Sequence, residues 1–235
     1  MKPANRITGA LLFPVRVRMV ILAAVLAAAV LSPVSAGGGN PEPAPMMEKE
    51  MAAVPEGAKT AVLAGGCFWG IEGIYERLNG VVDVVSGYSG GEAATARYNM
   101  VGTGKTGHAE SVRILYDPSQ ISYRTLLEVF FSVAHDPTQL DYQGPDHGPQ
   151  YRSAVFYADE DQKREAEQYI KELTDKKIFK DQIVTEVTPL KEFYPAEDYH
   201  QDFMKMNPNQ SYIVYYDLPK IQALEKRFPE LLAQK

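Results

Sequence analysis

Cys67, the chain's only cysteine, stands two residues before its only tryptophan, Trp69, in the stretch AVLAGGCFWGIEGIYERL, residues 61–78. A lone thiol between aromatic residues can be a small buried hydrophobe. Two features point to chemistry instead. Gly65, Gly66 and Gly70 bracket the thiol, and glycine costs backbone entropy unless close approach or unusual dihedrals require it. Ile71, Ile74, Tyr75 and Leu78 recur at helical spacing, so Cys67 sits at a helix N-terminus. There, free backbone N–H groups and the positive end of the helix dipole favour thiolate over thiol, which lowers the pKa from its free value of ~8.5.

The elements that must position this thiol follow from pattern. TAVLAGG reads as a short buried strand running into Cys67, and VVDVVSGYSGG as a strand ending in a glycine-rich turn. In ESVRILYD, Glu110, Val112, Ile114 and Tyr116 share one face at period two. Glu110 therefore points to the apolar side, although a strand-end carboxylate in solvent is the plainer reading. Leu127, Phe130, Phe131 and Ala134 form the inward stripe of the next helix. After the loop HDPTQLDYQGPDHGPQ come the strand YRSAVFYA and a charged helix, opened by Asp159 and Gln162 as a cap pair and ending near Ile178. QIVTEVTPL reads as a strand, AEDYHQDFMKM as helical, and Ile221, Leu224 and Phe228 as one face of a last helix. Strands and helices interleave with connections of varied length, and several strands read as hairpin-linked. That favours an α+β fold, a two-layer sandwich of a mixed β-sheet with flanking helices.

At 235 residues, with 45% hydrophobic and 10% aromatic residues, the chain can pack a substantial core. Lys2, Arg6, Arg16 and Arg18 precede and flank the start of the apolar run Met19 to Leu31, and Val34-Ser35-Ala36 offers small residues suited to cleavage. Residues 1–36 thus read as a secretory signal peptide, and the protein is expected to be secreted or periplasmic, with an uncleaved membrane anchor as the alternative. Residues 37–57, rich in Gly, Pro, Glu and Met, read as a disordered linker, and 58–235 as one catalytic domain. Loss of residues 1–36 would turn 24 basic against 30 acidic residues, −6, into 20 against 30, −10. Such an acidic protein is a poor candidate for nucleic acid. A single cysteine forms no intramolecular disulfide.

The four histidines, at 108, 135, 147 and 200, lack HExxH or HxH spacing, so no metal is expected. His108 or His147 beside Cys67 would suit a Cys/His hydrolase or acyltransferase. A non-enzymatic module whose GCFWG pocket holds methionine side chains is a further reading. Tyr98 and Tyr151 are two of fourteen tyrosines, and Asp146, between Pro145 and His147, fits simple turn chemistry.

GGCFWG followed by GYSGG, GHAE and DHGPQYRS resembles the A-type peptide methionine sulfoxide reductases, in the family's order from Thr60 to Asn209. The resemblance implies the same α+β sandwich and reduction of the S epimer of methionine sulfoxide, free or in proteins, in protein repair after oxidative stress. Motif by motif it makes Cys67 the nucleophile, Phe68 and Trp69 the apolar pocket for the substrate methyl group, and Glu110 the proton donor. It also makes Tyr98 and Tyr151 the hydroxyls on the substrate oxygen and Asp146 the second carboxylate. Sulfoxide sulfur is electrophilic only once its oxygen is protonated or strongly hydrogen-bonded, which an acid and two tyrosines would supply. Cys67 would then become a sulfenic acid.

Two departures stand out. In the stretch EAATARYNM, Ala96 and Arg97 stand where proline and threonine are expected directly ahead of the family's tyrosine, and the tail from Asn207 holds no cysteine to trap a sulfenic acid. The expected regenerant is an external thiol reductant, thioredoxin-like, glutaredoxin-like or a small thiol, with no bound cofactor. Oxidised proteins or free methionine sulfoxide are the expected substrates, and the chain is expected to be monomeric.

Overall fold

Strand β1, Lys59–Gly65, alternates its side chains between two apolar layers: Ala61 and Leu63 face one, Val62 and Ala64 the other. That burial on both faces makes β1 a central strand. The computed structural model describes residues 54–233, all within one compact unit, Glu48–Lys235. The signal segment 1–36 and all but the last four residues of the linker 37–57 lie outside the described residues. Among the described residues no helix is long and apolar enough to cross a membrane.

Helix α1, Phe68–Tyr75, follows Cys67 directly. Next come β2, Val81–Ser89, the one-turn α2, Tyr98–Val101, and β3, Ala109–Tyr116. Helix α3, Tyr123–Val129, continues through a wider π-turn, Phe130–Ala134. A two-stranded hairpin, β4, Tyr142–Gln143, with β5, Asp146–His147, leads through the 3-10 turn Pro149–Tyr151 to β6, Ser153–Tyr157. Helix α4, Glu160–Asp175, precedes β7, Glu186–Pro189, and β8, Phe193–Pro195. Short α5, Phe203–Met206, a π-turn, Ile213–Asp217, and α6, Leu218–Arg227, complete the chain order. The main sheet runs β7-β6-β1-β3-β2-β8, with only β6 and β7 parallel, so the fold is the expected α+β arrangement of a mixed sheet with flanking helices.

Glu110, Val112, Ile114 and Tyr116 are buried together on one face of β3, as the alternation requires. Against that face pack Ile71, Ile74 and Tyr75 of α1 and the stripe Leu127, Phe130, Phe131 and Ala134. Val62, Ala64, Ala109, Ala154 and Phe156 make a thinner layer on the other face, covered by Leu190 and Phe193. The C-terminal end is stitched to the end of α1, with Asn79 N–H donating to Leu231 O at 2.7 Å and Ala233 N–H to Arg77 O at 2.8 Å.

Four local expectations change. Asp159 caps α4 by accepting from Gln162 N–H at 2.8 Å, but the Gln162 side chain accepts from Ala158 N–H and donates to Thr60 O. The helix also stops at Asp175, leaving Ile178 exposed. Of QIVTEVTPL only Glu186–Pro189 pairs with β6, as befits an edge strand with one neighbour. AEDYHQDFMKM is not one helix: Asp202, at φ 51°, breaks it into a 3-10 turn, Asp198–His200, and α5.

Candidate active site

Cys67 is the N-cap residue of α1, delivered by the end of β1. Gly66 turns the chain there at φ 98°, and a Cβ on it would lie 2.6 Å from Cγ of Gln143. Gln143 is itself clasped by Asp136, accepting from its N–H and donating to its carbonyl, each at 3.0 Å. Because Gln143 pairs with Asp146 across the β4–β5 hairpin, the bare backbone at Gly66 lets that hairpin seat Asp146 beside the nucleophile.

Glu110 comes from the start of β3 and is buried. Its Oε2 accepts a 3.2 Å hydrogen bond from Phe68 N–H, the first free amide of α1. Burial pushes its carboxyl up to about 8, opposed by the Phe68 N–H and reinforced by Asp146. At neutral pH it is a protonated acid. Tyr98 opens α2, its N–H donating to Glu197 Oε1 at 3.0 Å, while Glu197 Oε2 accepts from Tyr88 O–H at 2.8 Å. Glu197 thus fixes Tyr98 where the sequence lacks the expected proline. Tyr151 closes the 3-10 turn before β6. Burial first, then Glu110, raises the hydroxyls of both Tyr98 and Tyr151, and each also feels Asp146 and Cys67. Both remain proton donors at neutral pH. Cys67, Glu110, Tyr98, Tyr151 and Asp146 are therefore gathered within electrostatic reach of one another.

The aromatic pair divides its labour. Phe68 is wholly buried, packed on Tyr88 and His200 with ring centroids 5.9 and 5.1 Å away. Trp69 is partly exposed, stacked on Phe203 at 3.7 Å, with its Nε1–H donating to His200 Nδ1 at 3.1 Å. That bond fixes the His200 proton on Nε2, and burial lowers the ring's pKa, so His200 is neutral. Tyr212 donates its hydroxyl to Asp146 Oδ2 and sets its ring edge-on to Trp69.

One expectation is reversed. The Cys67 thiol lies well above its ordinary value, not below it: burial is the main cause, then Glu110 and Asp217, against only the Trp69 N–H in the other direction. The helix terminus is present, but burial first, and then the carboxyls packed round the thiol, outweigh it.

The sequence reading missed Gln143, Glu197, His200, Tyr212 and Asp217. Of these, only His200 was weighed at all, as a possible metal ligand, because the partners that bring the five to the site lie far off in the chain. Among the described residues no three His, Cys, Asp or Glu side chains gather as metal ligands. His108 uses both ring nitrogens, accepting from Gly91 N–H at 3.2 Å and donating to Glu92 O at 3.1 Å. It has none left for Cys67, which removes it from a Cys/His dyad.

The arrangement is a soft nucleophile beside a neutral carboxylic acid, two hydroxyl donors and an indole wall. Comparison with known proteins accords with it. The family model described as peptide methionine sulfoxide reductase matches residues 59–232. The chain is 54% identical over 179 residues to a peptide methionine sulfoxide reductase MsrA 2 of Mesorhizobium japonicum, covering 76% of this chain and 92% of that protein. To the protein of the same name from Synechocystis sp. it is 51% identical over 176 residues, 75% of this chain and 82% of that one. The fold is similar to reduced Mxr1 from Saccharomyces cerevisiae, with a TM-score of 0.61 and 36% identity, over 68% of this chain and 92% of that one. It is likewise similar to methionine sulfoxide reductase A of Corynebacterium diphtheriae, with a TM-score of 0.58 and 36% identity, over 66% of this chain and 77% of that one.

Proposed function

The chain belongs to the peptide methionine sulfoxide reductase family, and from that premise we propose how its own residues carry the reaction. It is an enzyme that reduces the S epimer of methionine sulfoxide, free or in proteins, to methionine, a thiol-dependent repair of oxidative damage.

Glu110, neutral at pH 7, donates its proton to the sulfoxide oxygen while Tyr98 and Tyr151 hydrogen-bond the same atom. Cys67 attacks the sulfur to form a transient S–S bond, the substrate S–O bond breaks, and the hydroxyl passes to the Cys67 sulfur as the S–S bond breaks and methionine leaves. Methionine sulfur gains two electrons, Cys67 becomes a sulfenic acid, and the thiol proton replaces the one Glu110 gave. Phe68 backs the pocket and Trp69 forms its exposed wall against the substrate methyl group. Asp146, held by Tyr212, completes the polar side.

With one cysteine in the sequence, an external thiol must attack the sulfenic acid, releasing water and leaving a mixed disulfide. A second thiol then frees Cys67. A thioredoxin-like or glutaredoxin-like protein or a small thiol meets that chemistry. The basic and apolar pattern of residues 1–36 supports a secreted or periplasmic location for the enzyme. N-terminal sequencing of the protein recovered from the cell envelope tests that placement: an intact Met1 in a soluble cytoplasmic fraction would refute it.

The observation that carries the reading is the buried, neutral Glu110 bonded to the amide next to Cys67. The test is a single turnover without reductant on each sulfoxide epimer. About one methionine per enzyme from the S epimer alone, with one oxygen added at Cys67, is the expected result. Methionine formed by Cys67→Ser would overturn it.

A further inference from the structure

Behind the helix that presents Cys67 lies a second buried carboxyl that the reaction above does not use. Asp217 stands at the junction of the π-turn and α6, fully shielded from solvent. Its position is that of a helix cap, yet its side chain caps nothing. Instead Oδ1 accepts from Lys220 Nζ at 3.3 Å and presses on the bare backbone of Gly70, where a Cβ would meet it at 2.1 Å. Oδ2 is buried with no hydrogen-bond partner. A buried carboxylate with one oxygen unsatisfied is costly, and a purely structural role at this spot would be better filled by an apolar side chain.

Burial raises the Asp217 carboxyl to about 6, with Lys220 pulling the other way, so it is ionised at neutral pH. After burial, the charges that raise the Cys67 thiol are Glu110, then Asp217, then Asp146. Glu110, at about 8, is neutral at pH 7 and exerts no such charge. Below that value, before Glu110 ionises, Asp217 is the foremost anion felt by the sulfur.

We propose that Asp217, pinned between Gly70 and Lys220, supplies the fixed negative charge that keeps Cys67 a thiol near neutral pH, where Glu110 is not yet ionised. It is a positioning residue: it acts on the sulfur through space and does not touch the reacting atoms. The other groups facing the thiol are Tyr98 of α2, Glu110 of β3, Asp146 of β5, Tyr151 of the 3-10 turn and Tyr212 at the start of the π-turn. Lys220 of α6 is the cation that acts on both Asp217 and Asp146. A thiol kept protonated between turnovers resists peroxide, because the thiolate is the form that oxidises. In a chain with one cysteine no neighbouring thiol would rescue an accidental oxidation.

This role rests on Cys67 being the reacting thiol, but its test needs no sulfoxide. In the full-length chain, iodoacetamide alkylation of Cys67 is followed by mass spectrometry from about pH 6 to about pH 10 in wild type, D217N and K220Q. D217N is expected to react about tenfold faster than wild type at about pH 8, and to lose the inflection that ionisation of Asp217 places near pH 6. Equal rates in folded wild type and D217N across the range would overturn the proposal. K220Q, whose lysine side chain is 22% exposed, carries the test if D217N does not fold. It is expected to react several-fold slower above about pH 8, where Asp217 is ionised in both proteins; an unchanged or faster rate would overturn the proposal. Failure here leaves the reductase reading standing, since single turnover is measured separately.

Discussion

Phe68 N–H donates to Glu110 Oε2 at 3.2 Å across 42 residues of sequence. The bond joins the first free amide of α1 to the start of β3 and so fixes the acid relative to the nucleophile one residue away. It occupies Oε2, which leaves Oε1 to carry the proton of the neutral carboxyl. The amide alone would draw the carboxyl down, but burial overrides it. A general acid usable at neutral pH results.

Replacement of Glu110 by Gln should keep the Phe68 hydrogen bond and remove the transferable proton. Single-turnover methionine formation is expected to fall roughly 10²–10⁴-fold. Wild-type turnover should decline as pH rises through about 8, as the donor is lost. A rate unaffected by the substitution would deny Glu110 this role.

The same group makes a stability prediction of the opposite sign. Unfolded, Glu110 ionises near its ordinary 4.5; folded, near about 8. Between those values the folded state holds a proton that the unfolded state has released, so stability falls as pH rises across that window. E110Q should therefore be more stable than wild type at pH 7, and the gap should close toward pH 4. Glu72, also raised to about 8 by burial, contributes a like slope that E110Q leaves in place. Urea titrations of both proteins at several pH values measure the difference.

Tyr98 and Tyr151 have hydroxyls that remain protonated at working pH. If both bind the oxygen as charge develops, Y98F and Y151F should each lower kcat about tenfold, with KM changed far less. Loss confined to KM would assign them to ground-state binding.

Gly70→Ala is normally favourable inside a helix by about 1 kcal/mol. Here the added carbon would fall 2.1 Å from Asp217 Oδ1, so a net loss of roughly 1–3 kcal/mol is expected. Adding D217A should recover much of it, a coupling that a double-mutant cycle by chemical denaturation would reveal. Additive losses would mean the clash is relieved elsewhere.

Far from the site, Asp159 accepts from Gln162 N–H at the start of α4. D159A should cost about 0.5–2 kcal/mol of stability and leave turnover unchanged. A change in kcat would tie α4 to catalysis.

Much of this was legible in sequence because it is local. The period-two face of β3 and the helical spacing after Cys67 depend on neighbours a few residues apart, and both took the expected form. What misled was long-range. The thiol's expected low pKa counted the helix amides, which the sequence shows, but not the burial of Cys67 or the carboxyls carried to it from residues 110, 217 and 146. Asp217 drew no notice because chain position conveys nothing of Gly70 lying opposite. AEDYHQDFMKM carries an apolar pattern that suits a helix, and only the left-handed turn at Asp202 shows where it breaks.

Trp69, the only tryptophan in the sequence, is partly exposed beside Cys67, stacked on Phe203 and bonded to His200. All indole emission from this protein therefore originates two residues from the nucleophile. Tyrosines 98 and 212, which flank the same ring cluster, feed excitation into it. A shift in the intensity or colour of that indole emission on adding sulfoxide or peroxide is therefore the expected label-free signal of events beside Cys67.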